Sequence, residues 1–71
     1  MNKTKQDSYE KAITLYTHAL ELNPNFADAY NYRGVVKANL GRYEEAIADF
    51  DTAVHINPQD ADPYYLSLIH I

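Results

Sequence analysis

The chain has 71 residues, six Lys and Arg against ten Asp and Glu, a net charge of −4 and 46 % hydrophobic residues. That hydrophobicity argues against a disordered tail, no apolar run approaches the roughly 18 residues of a membrane span, and the excess of acid makes a poor coat for phosphates. With no cysteine there is no disulfide, thiolate metal site or cysteine nucleophile, and a chain this short rarely builds a self-sufficient core without staples or partners.

Residues 1–7 read as a polar N-terminal segment. The start Met1-Asn2-Lys3-Thr4-Lys5 is basic, but no apolar stretch follows it, so it does not read as a secretory signal. Asn2-Lys3-Thr4 fits the glycosylation sequon, which without such a signal carries little weight. Tyr9, Ala12, Ile13, Tyr16, Ala19 and Leu20 then follow the i, i+3, i+4, i+7 rhythm of one apolar helix face and predict a helix over 8–21. Asp7 followed by Glu10 fits a capping box at its start. Asn23-Pro24-Asn25 is a turn signal, because the residue before a proline is pushed out of the helical region.

A second helix is predicted over 27–39, with Tyr30, Gly34 and Ala38 on its stripe alongside Val35 and Val36. Gly41 follows Leu40 and is placed to end that helix in the left-handed conformation. A third helix, over 43–55, carries Tyr43, Ala46, Ile47, Phe50, Ala53 and Val54 on one face. Glu44 and Glu45 in its first turn favour the helix dipole. Asn57-Pro58 gives another turn, and a last helix is predicted from about 60. No segment alternates in the manner of a strand.

These elements repeat. Tyr9-Glu10-x-Ala12-Ile13 recurs as Tyr43-Glu44-x-Ala46-Ile47, Asn23-Pro24 as Asn57-Pro58, and Ala27-Asp28-x-Tyr30 as Ala61-Asp62-x-Tyr64, each pair 34 residues apart. From Tyr9 to Tyr30, 10 of 22 residues equal their shifted partners, which chance does not give. The run from Ala27 to Pro58, carried by Tyr30, Gly34, Leu40-Gly41, Tyr43, Ala46, Phe50, Ala53 and Pro58, resembles one complete tetratricopeptide repeat. The resemblance implies an all-α fold of antiparallel helix-turn-helix repeats in a solenoid, about one full repeat plus two halves. Residues 8–26 would be the second helix and turn of a preceding repeat, 27–60 the complete repeat, and 61–71 the start of a next. Gly34 should pack against the Ala46 region, with Tyr30, Tyr43, Phe50 and Ala53 mostly buried.

The two ends depart from the pattern. Residues 1–6 stand where a preceding helix should end, yet lack its apolar stripe. By the repeat, Leu68 falls in the position of Gly34, against the logic of a close approach. Leu66-Ser67-Leu68-Ile69-His70-Ile71 also resembles the translation of a transposase mosaic-end sequencing adapter, codon for codon. The expectation is that 66–71 are non-native and that the chain is a fragment of a longer array. A helix pair of this kind cannot bury its apolar faces alone, so weak stability or self-association through uncapped ends is expected.

Nothing in the sequence builds a catalytic centre. Of the three histidines, His18, His55 and His70, the first two are out of register, 37 apart, and neither has a second His or a carboxylate at a metal spacing on one face. Glu44, Glu45, Asp49, Asp51, Asp60 and Asp62 are expected on solvated helix faces, not as an acid–base pair. The Ser and Thr residues lack a triad, and Gly34 and Gly41 do not form a phosphate loop. Seven tyrosines could suggest stacking on single-stranded nucleic acid, and Tyr32 and Tyr65 are not explained by the core stripe, but the basic groove that accompanies stacking is missing. The expectation is therefore a non-enzyme with no cofactor, no metal, no nucleic acid and no membrane.

What the resemblance leaves is the concave face lined by the first helix of each pair, used by such arrays to hold peptides or partner helices. Here it implies Asp28, Asn31, Val35, Ala38 and Asn39. An amide donates and accepts, so Asn31 and Asn39 suit a peptide backbone. The subfamily that clamps C-terminal carboxylates uses Lys and Arg with Asn on this face, and the matching face here offers Asn31 and Val35 and no base, so that clamp is not expected. The implied function is a protein–protein interaction scaffold. The alternatives are a non-catalytic spacer within a larger enzyme or a self-associating module.

Overall fold

The computed structural model describes residues 4–60 and 63–69. The sequon residues Asn2 and Lys3, the repeat matches Ala61 and Asp62, and His70 and Ile71 lie outside the described residues, as do the side chains of Tyr64 and Leu68. Four helices follow one another: α1 (Thr4–Leu22), α2 (Ala27–Asn39), α3 (Tyr43–Ile56) and α4 (Pro63–Ile69), with a 3₁₀ turn at Pro58–Asp60 between the last two. No strand occurs among the described residues. α1 packs on α2 and α2 on α3 as antiparallel neighbours, and α4 returns onto α3.

The turns repeat as faithfully as the helices. The Asn23 side chain accepts from the Asn25 amide at 3.3 Å, and the Asn57 side chain accepts from the Gln59 amide at 3.2 Å. Each is an asparagine reaching past the proline that fixes the chain direction. α2 stops in a different way. Gly41 has φ +83°, a conformation that side chains resist. The Gly41 amide donates to Ala38 and the Arg42 amide to Lys37, at 3.0 and 2.9 Å. These two bonds close a Schellman motif and satisfy carbonyls the helix end would otherwise orphan.

At its start α1 is longer than the apolar stripe predicts. It begins by Thr4, so Asp7 sits in its first turn and not at a cap. Lys5 and Gln6 are good helix formers, and no glycine or proline stops them.

The core lies between α2 and α3. Phe50 is fully buried, and Ala38, Ala46 and Ala53 are buried with it. Val35, Ile47 and Tyr65 pack against the Ala38–Ala46–Phe50 cluster. Tyr30 is only half-buried. A side chain at Gly34 would meet the Phe50 ring first, one turn along α3 from Ala46, and Ala38 shares the cluster with Ala46 and Phe50. In an antiparallel pair, stepping forward four residues on one helix steps back four on the other, so the two contacts belong to one register. Tyr43 departs further, being 52 % exposed. It is the first residue of α3, one turn beyond the Ala38–Ala46 contact, where α2 has already ended.

A β-carbon at Gly34 would lie 2.9 to 3.1 Å from three ring atoms of Phe50. The ring is sealed on all sides and cannot move aside cheaply. Gly34→Ala gains about 1 kcal/mol of helix propensity but overpacks the core by about 1–3 kcal/mol. A net loss of about 1 kcal/mol is expected, and Gly34→Leu should abolish cooperative thermal unfolding followed by circular dichroism.

Tyr65 fastens α4 to α3. Its ring lies 5.6 Å from that of Phe50, and its hydroxyl donates to the Asp51 carboxylate. That hydrogen bond, with smaller help from desolvation and the carboxylate's charge, raises the phenol pKa above its usual value of 10.0. A raised pKa favours the protonated phenol in the folded state. Its contribution is therefore complete below about pH 10 and fades as the pH rises through the folded value. The melting temperature of the parent should fall more steeply than that of Tyr65→Phe above that pH, and parallel curves would contradict the latch.

Candidate functional site

All five residues implied for the concave face lie on α2, but their surroundings differ. Asp28 and Asn39 are exposed, and Asn31 and Val35 are half-buried. Val35 leans on the core cluster. Ala38 is 2 % exposed and belongs to that core, so the accessible stripe consists of Asp28, Asn31, the outer part of Val35 and Asn39. At 3.6 residues per turn these four positions fall within one side of the helix.

The opposite side of α2 holds a network that the sequence reading did not find. Arg33 grips Asp49 with two parallel bonds, Nε to Oδ2 and Nη2 to Oδ1, both 2.8 Å. Its remaining arm, Nη1, donates to Thr17 Oγ1 on α1 at 3.0 Å. Lys37 Nζ lies 3.1 Å from Asp49 and 3.6 Å from Glu45. The Tyr30 ring lies under the guanidinium, 5.5 Å from centroid to Cζ. Asp49, expected on a solvated face, is 5 % exposed. It is buried because two cations one turn apart on α2 meet it, and fork-to-carboxylate pairing is the strongest form of such a bond. The hydrogen bond to Asp49 raises the Arg33 pKa, against the desolvation that lowers it. One signal could have revealed the network. Arg33 and Lys37 are four apart, Glu45 and Asp49 are four apart, and antiparallel packing sets one pair across from the other.

Two weaker links join α1 to this unit. Arg42 Nη2 donates to Glu10 Oε2 at 2.5 Å across a partly solvated surface. Tyr32, which the apolar stripe left unexplained, meets the Tyr16 ring at 6.0 Å. A groove of about 380 Å³ lies elsewhere, lined by Pro24, Asn25, Asp51, Thr52, His55 and Ile56, and touches none of the stripe residues. His18 is exposed on the surface of α1, 3.8 Å from Glu21. Among the described residues no three His, Asp or Glu side chains gather in a group able to hold a metal ion. No helix among them is long and apolar enough to cross a membrane.

Antiparallel helices joined by tight turns and repeating every 34 residues define a helical repeat protein. The family model of the tetratricopeptide repeat matches residues 4–61, and the chain belongs to that family. No curated protein and no solved structure matches it significantly. Tetratricopeptide repeats are generally protein–protein interaction modules and are typically non-catalytic.

Asp49 neutralises two cations in a largely water-free place, so its removal strands both. Breaking a buried pair in this way costs about 3–5 kcal/mol, whereas exchanging the whole pair for apolar residues is often neutral. Asp49→Ala should therefore lose most of its helical circular dichroism, while Arg33→Met with Asp49→Leu should retain more of it. Equal losses in the single and double variants would show that the pair does not hold α2 to α3.

Proposed function

We propose that the chain is a non-catalytic scaffold module that holds an extended peptide or a partner helix along the Asp28–Asn31–Val35–Asn39 stripe of α2. The observation that carries this reading is the division of labour on α2. Both cations of the helix interior, Arg33 and Lys37, are engaged by Asp49, about half a turn around the helix from the stripe. The residues of the stripe are two asparagines, an aspartate and a valine. That set suits a peptide main chain with an apolar side chain over Val35, and it offers no base to a C-terminal carboxylate. Amides can satisfy both the N–H and the C=O of a bound strand.

A library of random linear peptides selected on the 71-residue chain tests the reading. Asn31→Ala with Asn39→Ala should weaken the selected peptides roughly tenfold, two hydrogen bonds at about 0.5–1.5 kcal/mol each. The melting temperature should hardly change. Unchanged affinity together with a lowered melting temperature would make these asparagines structural and refute the groove.

A further inference from the structure

Arg33 shows how this chain holds a guanidinium. A carboxylate takes both arms of the fork, at 2.8 Å each, and the Tyr30 ring lies beneath at 5.5 Å. The same two kinds of group stand together again on the accessible side of α2. Asp28 is exposed, and Tyr32, four residues on, is 55 % exposed. Residues four apart on a helix are neighbours, about 5–6 Å between β-carbons. Tyr32 lies about 40° round the helix from Asp28 and about 20° from Asn39, so it borders the stripe. One flank of its ring meets Tyr16 at 6.0 Å, which fixes the ring while its outer part stays open.

This openness belongs to the repeat position. Leu66 is the copy of Tyr32, 34 residues on. In α4 the helices that precede it, α2 and α3, are in place, and Leu66 is still 47 % exposed. Around Tyr32 it is the helices that follow, α3 and α4, that are in place. The position stays accessible in both settings.

Charge points the same way. Arg33 and Lys37 are paired with Asp49 and Glu45, and Arg42 with Glu10, whereas Asp28 and Glu44 face solvent. With a net charge of −4 the surface attracts cations, and the ring beside Asp28 selects among them. A guanidinium is planar, takes a carboxylate through two parallel bonds and stacks on an aromatic face, whereas an ammonium acts as a compact point charge.

We propose that Asp28 and Tyr32 form an arginine subsite at one end of the peptide groove, so that the bound segment is basic. The Asp28 carboxylate takes the fork, and the Tyr32 ring lies against its face. Asp28 and Val35 are about 10 Å apart along α2, and an extended chain advances about 3.3 Å per residue. The arginine therefore stands about three residues from the apolar side chain over Val35. The subsite rests on the stripe being a peptide groove and adds the class of its ligand.

Peptides selected on the full chain from a random linear library test this. Arginine should be enriched among them, about three residues from an apolar side chain. Replacing that arginine by Gln should weaken binding at least about tenfold, and replacing it by Lys about threefold. Asp28→Asn should weaken the arginine peptide about tenfold and leave its Gln variant unchanged, and Tyr32→Leu should weaken it about threefold. A variant that merely folded less would weaken both peptides alike, and that result overturns the subsite. Glu44→Gln removes an exposed carboxylate of α3 and should leave affinity unchanged. Equal losses from Asp28→Asn and Glu44→Gln, or equal affinity of the Arg and Lys peptides, would reduce the effect to general charge attraction and overturn the assignment. Peptides that need Asn31 and Asn39 but are indifferent to Asp28 would leave the groove standing and remove the subsite. Peptides that need neither, or a selection that yields no binder, would remove both.

Discussion

The rest of the structure depends on the missing side chain at Gly34. Packed helices stand about 8–10 Å apart depending on the side chains at the contact, and here the absence of a β-carbon at Gly34 leaves room for the Phe50 ring. Once Phe50 sits there, Ala38 and Ala46 come into contact one turn away. Arg33 then reaches Asp49 with both arms of its fork. A wider spacing would lose the aromatic packing and the bidentate geometry together. The small residue therefore sets the distance, and the distance makes the ion pair possible.

The ion pair in turn does something the apolar contacts cannot. Phe50 and the alanines bury area, and the gap at Gly34 fixes where the ring fits. The fork of Arg33 adds direction. Its two bonds to Asp49 and its third to Thr17 hold one angle between three helices, since a guanidinium is planar and its donors are fixed. Burying charges brings little net stability in general. What this arrangement supplies is register within the hairpin and orientation of α1 relative to it.

Much of this was legible before any coordinates. The 34-residue spacing, the Asn-Pro turns and Gly41 specify helices, their order and their ends, because each rests on local chemistry that a single residue type satisfies. The contact partners were less legible. Tyr43 has the aromatic character of a core residue and the period of the stripe, yet the helix opposite has ended before it. Periodicity says which side of a helix faces inward, but not how far the neighbouring helix extends. Asp49 failed in the opposite direction. A carboxylate on a helix reads as solvated until its cations are known to lie across from it, and those are 12 and 16 positions away in sequence. The α2 stripe was legible as a face, but Ala38 falls within it and is taken by the core, because a stripe wide enough to include it overlaps the α3 contact.

Comparison of the copies separates what the fold requires from what a partner reads. Between α1 and α3, Tyr9, Glu10, Ala12, Ile13 and Ala19 are kept as Tyr43, Glu44, Ala46, Ile47 and Ala53. The apolar members of that set maintain spacing, so any helix of this shape could dock against them. Among the changes are Lys11 against Glu45 and Leu15 against Asp49, where the α3 residues face the charges of α2. A change of sign at one and of polarity at the other leaves shape intact while it changes which helix is accepted. Repeats built on one backbone face a standing ambiguity, since every first helix could pair with every second one. Charge placed at the edge of a common apolar seam resolves it at little cost in packing, because a mismatched partner must bury a cation without a counter-ion. In this chain the Arg33–Asp49 pair marks the α2–α3 hairpin as self-matched, and the copy of that carboxylate position in α1 is Leu15.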